Sequence, residues 1–344
     1  LAQAVGSAQE IRRRWDEIRS AYLARAEVPS SLVWHSPRVP LDDLPDWLPA
    51  WCVDRLGDAP VGVLFEVRSI SAVFGLRLAG GRDVVVKARE DDGRAASCVA
   101  AQARLAERGF PCARPLTPAV AVGVLAVHAE EYRPGGELLP GDSPDVAVRC
   151  AGVFARLMAE LVDVTVARPL PNPRWVRWDH ADPGLWPAIP ALDGLDQSAV
   201  PGYVVDTAAR VRRRLLAADL PCVLGHADFE AQNLRWRDGE VWAVHDWDSL
   251  AWLPEAALAG AACGSFASAS PPTLAPVESS AAFLAAYQAL RGRRFTGRER
   301  EVAWAASLWP AAHNARWEAL HGDTPVAGAA LLAQAAERLR RANA

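Results

Sequence analysis

The chain has 344 residues, of which 51% are hydrophobic and 23% charged; this much apolar surface offsets the ordering entropy and excludes global disorder. Its 37 basic and 41 acidic side chains leave a net charge of −4 and a pI near 6.0, which excludes a dedicated nucleic-acid binder, whose footprint is basic. No apolar run approaches the roughly 20 residues that cross a membrane, and the length predicts one large domain or two lobes.

Six scattered cysteines (Cys52, Cys98, Cys112, Cys150, Cys222, Cys263) form no CxxC pair. They read as reduced thiols in a cytoplasmic protein. The chain opens on Leu1 without a basic stretch leading into an apolar one, so no signal peptide is expected. Fourteen tryptophans predict aromatic-rich packing.

In chain order, Ile11, Trp15, Ile18 and Tyr22 recur at helical spacing and predict an amphipathic helix over 8–26. Residues 28–49 are proline-punctuated and read as a loop, and a short helix over 45–56 stops at Gly57. Residues 1–59 are thus expected to be an N-terminal helical extension. Strands follow at 61–68, 72–78 and 84–88, then an alanine-rich helix at 94–108 and strand again at 119–128. Residues 60–130 therefore read as a small α+β unit.

From residue 131 to 344 the pattern is mainly helical. Ser143 and Pro144 open a helix whose apolar stripe runs from Val146 to Leu161. Residues 167–190 are a Pro/Trp-rich loop, 203–217 a basic helix and 222–224 a short strand. Further helices are expected at 278–291, 297–309, 311–321 and 325–341. Thr296 and Glu299 form a capping box, and Pro310 is expected to end the helix that it opens. The Ala/Ser-rich stretch 256–281 is expected to be partly mobile.

The chemistry concentrates in 222–248, CVLGHADFEAQNLRWRDGEVWAVHDWD. Asp238-Gly239 is a preferred pair for a two-residue hairpin turn. The register it implies sets Arg237 against Glu240, Trp236 against Val241, Arg235 against Trp242, Leu234 against Ala243 and Asn233 against Val244. Asn233 and Asp246 then reach one end of the hairpin, with Asp228 just upstream. Taken singly, the two Asp read as turn caps and the Asn as a turn residue. Their convergence points to Mg²⁺, which takes hard oxygens and one or two protein carboxylates, with a second carboxylate left to serve as base.

His226-x-Asp228-x4-Asn233 followed by Asp246-Trp247-Asp248 resembles the signature of the aminoglycoside phosphotransferase and choline-kinase-like family of small-molecule kinases. The resemblance covers residues 60–322. It implies a two-lobed, protein-kinase-like α+β fold with a small sheet-rich N-lobe and a larger, mainly helical C-lobe. It implies transfer of the γ-phosphoryl group of ATP or GTP to a small-molecule hydroxyl, with Mg²⁺ as cofactor and with neither nucleic acid nor membrane as partner. On this resemblance Asp228 is the catalytic base and His226 supports its loop. Asn233 and Asp246 are the metal ligands, and Lys87 holds the nucleotide phosphates. In EEYRPGG (130–136) the backbone of Glu131 and Arg133 faces the adenine.

The sequence departs from the family pattern in three places. The turn Arg68–Ala72 contains no glycine, so Ser69 and Ser71 are the expected phosphate donors. Helix 94–108 offers Cys98 where the family places a glutamate partner for the lysine, and Glu90 is the first candidate to replace it. Ala227 stands where glycine is usual. On the acceptor side, the dense stretch 304–318 supplies Trp304, Trp309, His313, Asn314, Arg316, Trp317 and Glu318, while Glu230, Asp248 and Glu255 add acidity. Trp309, His313, Trp317, Glu230 and Asp248 are the candidate acceptor residues for an antibiotic, amino sugar or amino alcohol, although an aromatic core layer is the plainer reading of the tryptophans and solvated surface charge explains the carboxylates equally well. The alternative reading is a nucleotide-binding scaffold of the same fold, which the glycine-free turn and the missing helix glutamate favour.

Overall fold

A computed structural model describes residues 41–68, 71–167, 170–267 and 274–344. The helix expected over 8–26 and most of the loop after it lie outside the described residues, as does Ser69. The chain divides into two compact units at Gly135 and Gly136, with Val166 and Ala167 assigned to the first unit.

The first unit is built on a five-stranded antiparallel sheet. Its strands are β1 (Pro60–Arg68), β2 (Ala72–Leu78), β3 (Asp83–Glu90), β4 (Val120–Val122) and β5 (Leu125–Glu131), in the order β1-β2-β3-β5-β4. Side chains alternate across a strand. Val84, Val86 and Ala88 of β3 share a core with Phe74, Leu76 and Leu78 of β2, while Val85 and Lys87 point to the other face. Helix α1 (Trp47–Leu56) supplies Leu48, Trp51 and Cys52 to that same core and ends on Gly57 in the left-handed region (φ 76°). Helix α2 (Ala95–Glu107) follows β3. The single strand expected over 119–128 is instead a hairpin: Gly123 turns at φ 60°, which glycine accepts without steric cost, and Val122 pairs with Leu125.

The second unit holds the remaining elements. Helix α3 (Pro144–Leu161) is capped as expected, the Val146 N–H donating to Ser143 Oγ at 3.4 Å. Helix α4 (Gly202–Leu216) leads to β6 (Cys222–His226), and β7 (Leu234–Arg237) and β8 (Glu240–Val244) form the hairpin. A strand the sequence reading lacked, β9 (Leu250–Pro254), pairs antiparallel with β6 from His226↔Leu250 to Cys222↔Pro254. Helices α5 (Glu255–Ser265), α6 (Val277–Leu290), α7 (Gly297–Ala306), α8 (Trp309–His321) and α9 (Val326–Ala342) complete the unit.

Two expectations are corrected. The start of the Ala/Ser-rich stretch is a buried helix, α5, because alanine is a strong helix former and its small face lets another backbone come close; residues 268–273 lie outside the described residues. Pro310 does not end a helix. It sits in the first turn of α8, where its missing N–H costs nothing, and α7 already stops at Ala306.

Candidate active site

In the second unit the site is assembled by β6, the hairpin and the loop between them. The hairpin starts in the expected register, Arg237↔Glu240 and Trp236↔Val241, but a β-bulge then shifts it to Arg235↔Ala243 and Leu234↔Val244. Trp242 is the extra residue, and its ring lies 3.7 Å under the Arg237 guanidinium. Trp236 is held on its other edge by Glu137, through reciprocal main-chain hydrogen bonds of 2.8 Å. The bulge brings Asn233 opposite His245, not Val244, with the His245 N–H donating to Asn233 O at 2.8 Å. Asn233 and Asp246 therefore reach the same end, one step out of the expected register.

The loop is tied to itself. Asn233 Nδ2 donates to the main-chain oxygen of Asp228 at 2.9 Å and to its carboxylate at 3.3 Å. The Asp228 N–H donates to His226 Nδ1 at 3.3 Å, which leaves the proton on Nε2 to be donated to His245 O at 3.0 Å. His226 thus buttresses both sides of the loop, wedged edge-on between Phe229 and Trp247. Burial pushes its imidazole below the ordinary value, against the pull of Asp246 and Asp248. Asp246 adopts the left-handed region (φ 60°), tolerable for an aspartate, and its carboxylate accepts from Ser249 Oγ at 2.6 Å.

Three carboxyls crowd this end. Burial, then the charges of Glu230 and Asp246, push the Asp228 carboxyl well above the usual range. Glu230 rises to about 7, by burial first and by Asp246 next, and Gln232 donates to it. Carboxyls that raise one another mark a site short of positive charge. Asn233 has committed its N–H group to Asp228, so its Oδ1 is left as the acceptor, and with Asp246 it makes a hard-oxygen set that fits Mg²⁺. Among the described residues no cluster of three or more His, Cys, Asp or Glu side chains forms a metal cage.

In the first unit Lys87 lies on β3, with His128 opposite it on β5. Its Nζ sits 2.9 Å from Glu130, whose side chain is 4% exposed. This corrects the expectation of Glu90: three residues along a strand, Glu90 points to the opposite face. The helix residue that reaches the pair is not Cys98 but Gln102, one turn later, whose Nε2 donates to Glu130 at 2.8 Å and to Ala113 O at 2.8 Å. Burial pushes the Glu130 carboxyl up, but Lys87, His128 and the Gln102 hydrogen bond outweigh it and hold it below the usual range. Lys87 therefore has a carboxylate, and the missing helix glutamate no longer favours a scaffold reading. At the end of β5, the Glu131 N–H donates to Arg114 O at 2.9 Å, its carboxylate takes the Arg114 fork, and Arg133 donates to Cys112 O at 3.1 Å. Ser71 lies just before β2, partly exposed.

The acceptor candidates separate. Trp309 is a core residue, 1% exposed, its N–H donating to Trp175 O at 2.9 Å. It lines a small apolar cavity behind Ala227 together with Trp178 and Leu253, so it backs the loop after β6 and offers no surface to an acceptor. His313, one turn along α8, meets the edge of Trp186. Trp317 stacks on His321 at 4.2 Å. Glu255 is engaged by Tyr287, Arg291 and Arg293, and Glu318 accepts the Ala327 and Gly328 N–H groups at the start of α9. Trp186, from the loop before α4, was not foreseen; its ring carries Arg316 at 5.2 Å and Trp309 at 5.6 Å. A tryptophan in a Pro/Trp-rich loop has no periodicity to betray it.

A sheet unit with a buried Lys–Glu pair and a helical unit with an Asp/Asn/Asp loop define a small-molecule kinase of protein-kinase-like fold. Residues 68–257 match the phosphotransferase enzyme family, and the chain belongs to it. No curated protein matches the chain. Among solved structures it is similar to the amicoumacin kinase hAmiN in complex with AMP-PNP, Ca²⁺ and Ami: 12% identity, 80% of this chain and 87% of that one, TM-score 0.58. A candidate fructosamine-3-kinase from Thermobifida fusca YX-ER1 shares 18% identity over 85% of this chain and 98% of its own, TM-score 0.53. A thermostable mutant of the aminoglycoside phosphotransferase APH(4)-Ia, in ternary complex with ADP and hygromycin B, shares 16% over 86% and 99%, TM-score 0.51.

Proposed function

We propose that this kinase transfers the γ-phosphoryl group of ATP or GTP to a hydroxyl of a small molecule, an antibiotic, amino sugar or amino alcohol. The observation that carries the reading is the clamp of Asn233 on Asp228 beside Asp246. It presents one carboxylate for the acceptor hydroxyl and a separate oxygen pair for a cation.

Asn233 and Asp246 would hold Mg²⁺, which when bound neutralises charge on the transferring phosphates. Lys87 anchors those phosphates. Asp228 orients the acceptor hydroxyl and takes its proton at a carboxylate oxygen, and positioning of this kind supplies most of the catalysis in phosphoryl transfer. His226 fixes the loop through its two ring nitrogens. Glu230, close to Asp228, forms with Asp248, His313 and Trp317 the acceptor set of this reading. Ser71 and the backbone of Glu131 and Arg133 belong to the nucleotide side.

The test is a phosphate-transfer screen with ATP and GTP, each with and without Mg²⁺, against aminoglycosides, macrolides, peptide antibiotics, amino sugars and amino alcohols. The expected outcome is Mg²⁺-dependent phosphorylation of one class. Nucleotide that neither binds nor is consumed with any acceptor would overturn the reading.

A further inference from the structure

A lysine that must meet phosphates has to be held in place by a partner that is itself fixed. In this chain the residue opposite Lys87 on β5 is His128, and Glu130 lies one diagonal step further along the same face. The ion pair therefore runs between adjacent strands of one sheet, at 2.9 Å, with the lysine side chain 13% exposed and the glutamate almost fully buried. In helix α2, Arg104 and Glu107 pair with each other. The helix contributes Gln102, whose Nε2 bridges Glu130 Oε2 and the main-chain oxygen of Ala113, so the carboxylate oxygen of Glu130 that does not face Lys87 is fixed as well.

We propose that Glu130 is the positioning residue for Lys87: the counter-carboxylate comes from strand β5, and Gln102 of α2 locks it. The inference rests on the reading of Lys87 as phosphate anchor. Its physical content is that both partners ride on one hydrogen-bonded ladder. The pair is preformed in the free protein and does not wait for a helix to swing in. The neutral Gln102 then has a reason to be buried: a carboxylate there would crowd Glu130 and oppose it.

The experiment is calorimetric titration of the full chain with AMP-PNP·Mg²⁺, and with adenosine as a ligand without phosphates. The proteins are wild type, Lys87→Met, Glu130→Gln and the exchange variant Glu130→Gln/Gln102→Glu. Glu130→Gln should weaken AMP-PNP by about tenfold or more and leave adenosine affinity unchanged; a purely structural role would move both ligands. The exchange variant returns a carboxylate to the Lys87–Glu130–Gln102 cluster. It should recover AMP-PNP affinity to within about threefold of wild type, a coupling that two independent substitutions would not show. If Lys87→Met binds AMP-PNP like wild type, the anchor reading itself fails. If Lys87→Met weakens binding and Glu130→Gln does not, the anchor stands and the role of Glu130 falls. An exchange variant that does not fold, or binds no better than Glu130→Gln, overturns the inference; should Glu130→Gln alone not fold, the exchange variant decides the matter against wild type.

Discussion

Asp228 carries two burdens that a substitution can separate. Its shape fills the loop beside Asn233, and on the proposed reading its charge provides the proton acceptor. Asp228→Asn keeps the first and removes the second. Turnover with an identified acceptor should fall by at least about a hundredfold, the scale of lost general-base function, while AMP-PNP still binds; near-wild-type turnover would rule Asp228 out as the base. His313 poses a different question, of stability. Burial, and next the charge of Arg316, push its imidazole down to about 4, and among the described residues its buried Nδ1 has no hydrogen-bond partner. The fold holds the ring neutral, whereas in the unfolded chain it protonates near 6.5. Between about pH 6.5 and 4 the unfolded state takes up a proton that the folded state refuses, so stability is lost as pH falls through that window. His313→Gln lacks this loss. From pH 7 to pH 4 its urea-unfolding free energy should fall by roughly 1–3 kcal/mol less than that of wild type, and parallel acid limbs would show that the ring is not held neutral.

At the scale of elements, α5 and α7 are held together by what α5 lacks. A Cβ built on Gly260 would lie 2.1 Å from Ala303 O and 2.7 Å from its Cα, and one on Gly264 would lie 2.8 Å from Ser307 O. These neighbours are backbone and cannot rotate away. Gly260→Ala should therefore destabilise despite alanine's better helix propensity, by roughly 1–3 kcal/mol, the range for overpacking. Thermal unfolding checks this, and a raised Tm would mean that the helices slide apart freely. The hairpin teaches the complementary lesson. Asp238-Gly239 correctly placed its turn and first two pairs, because turn chemistry is local. The bulge beyond them was invisible, because it coincides with the docking of Glu137 onto Trp236 from a distant part of the chain. A one-step slip flips side chains to the other face, and here it carries Asn233 to His245.

At the scale of the whole chain, the helical unit converges on Arg338, which is 0% exposed. Its guanidinium donates to Ser307 Oγ and Ser280 Oγ at 2.8 Å each, to Ala275 O at 2.5 Å and to Gln334 at 3.1 Å. It also lies 5.6 Å over Trp304. Burial pushes it down to about 10, so it remains charged at neutral pH. One side chain of α9 thereby fixes the start of α6 and the end of α7. Arg338→Met fills similar volume but orphans those acceptors, and should cost about 2–4 kcal/mol, read as a lower urea midpoint. Arg338→Lys should recover only part of this, because an ammonium lacks the planar fork.

What the sequence determined by itself was local: the apolar stripe and cap of α3, the capping box of α7, the three strands and helix of the sheet unit, and the Asp228/Asn233/Asp246 spacing that resembles the kinase signature. Each depends on residues a few positions apart, where periodicity and turn preference act directly. Only the tertiary structure decided which carboxylate meets Lys87. Glu90, the nearer in sequence, lies on the wrong face of its strand, while Glu130 arrives because β5 is the neighbour of β3 in the sheet. It also decided that Trp309 is core and Trp186 its partner, that Pro310 opens a helix, and that β9 exists at all as the mate of β6. Pairing and burial are properties of neighbours brought together by folding, and no short window of the chain contains them.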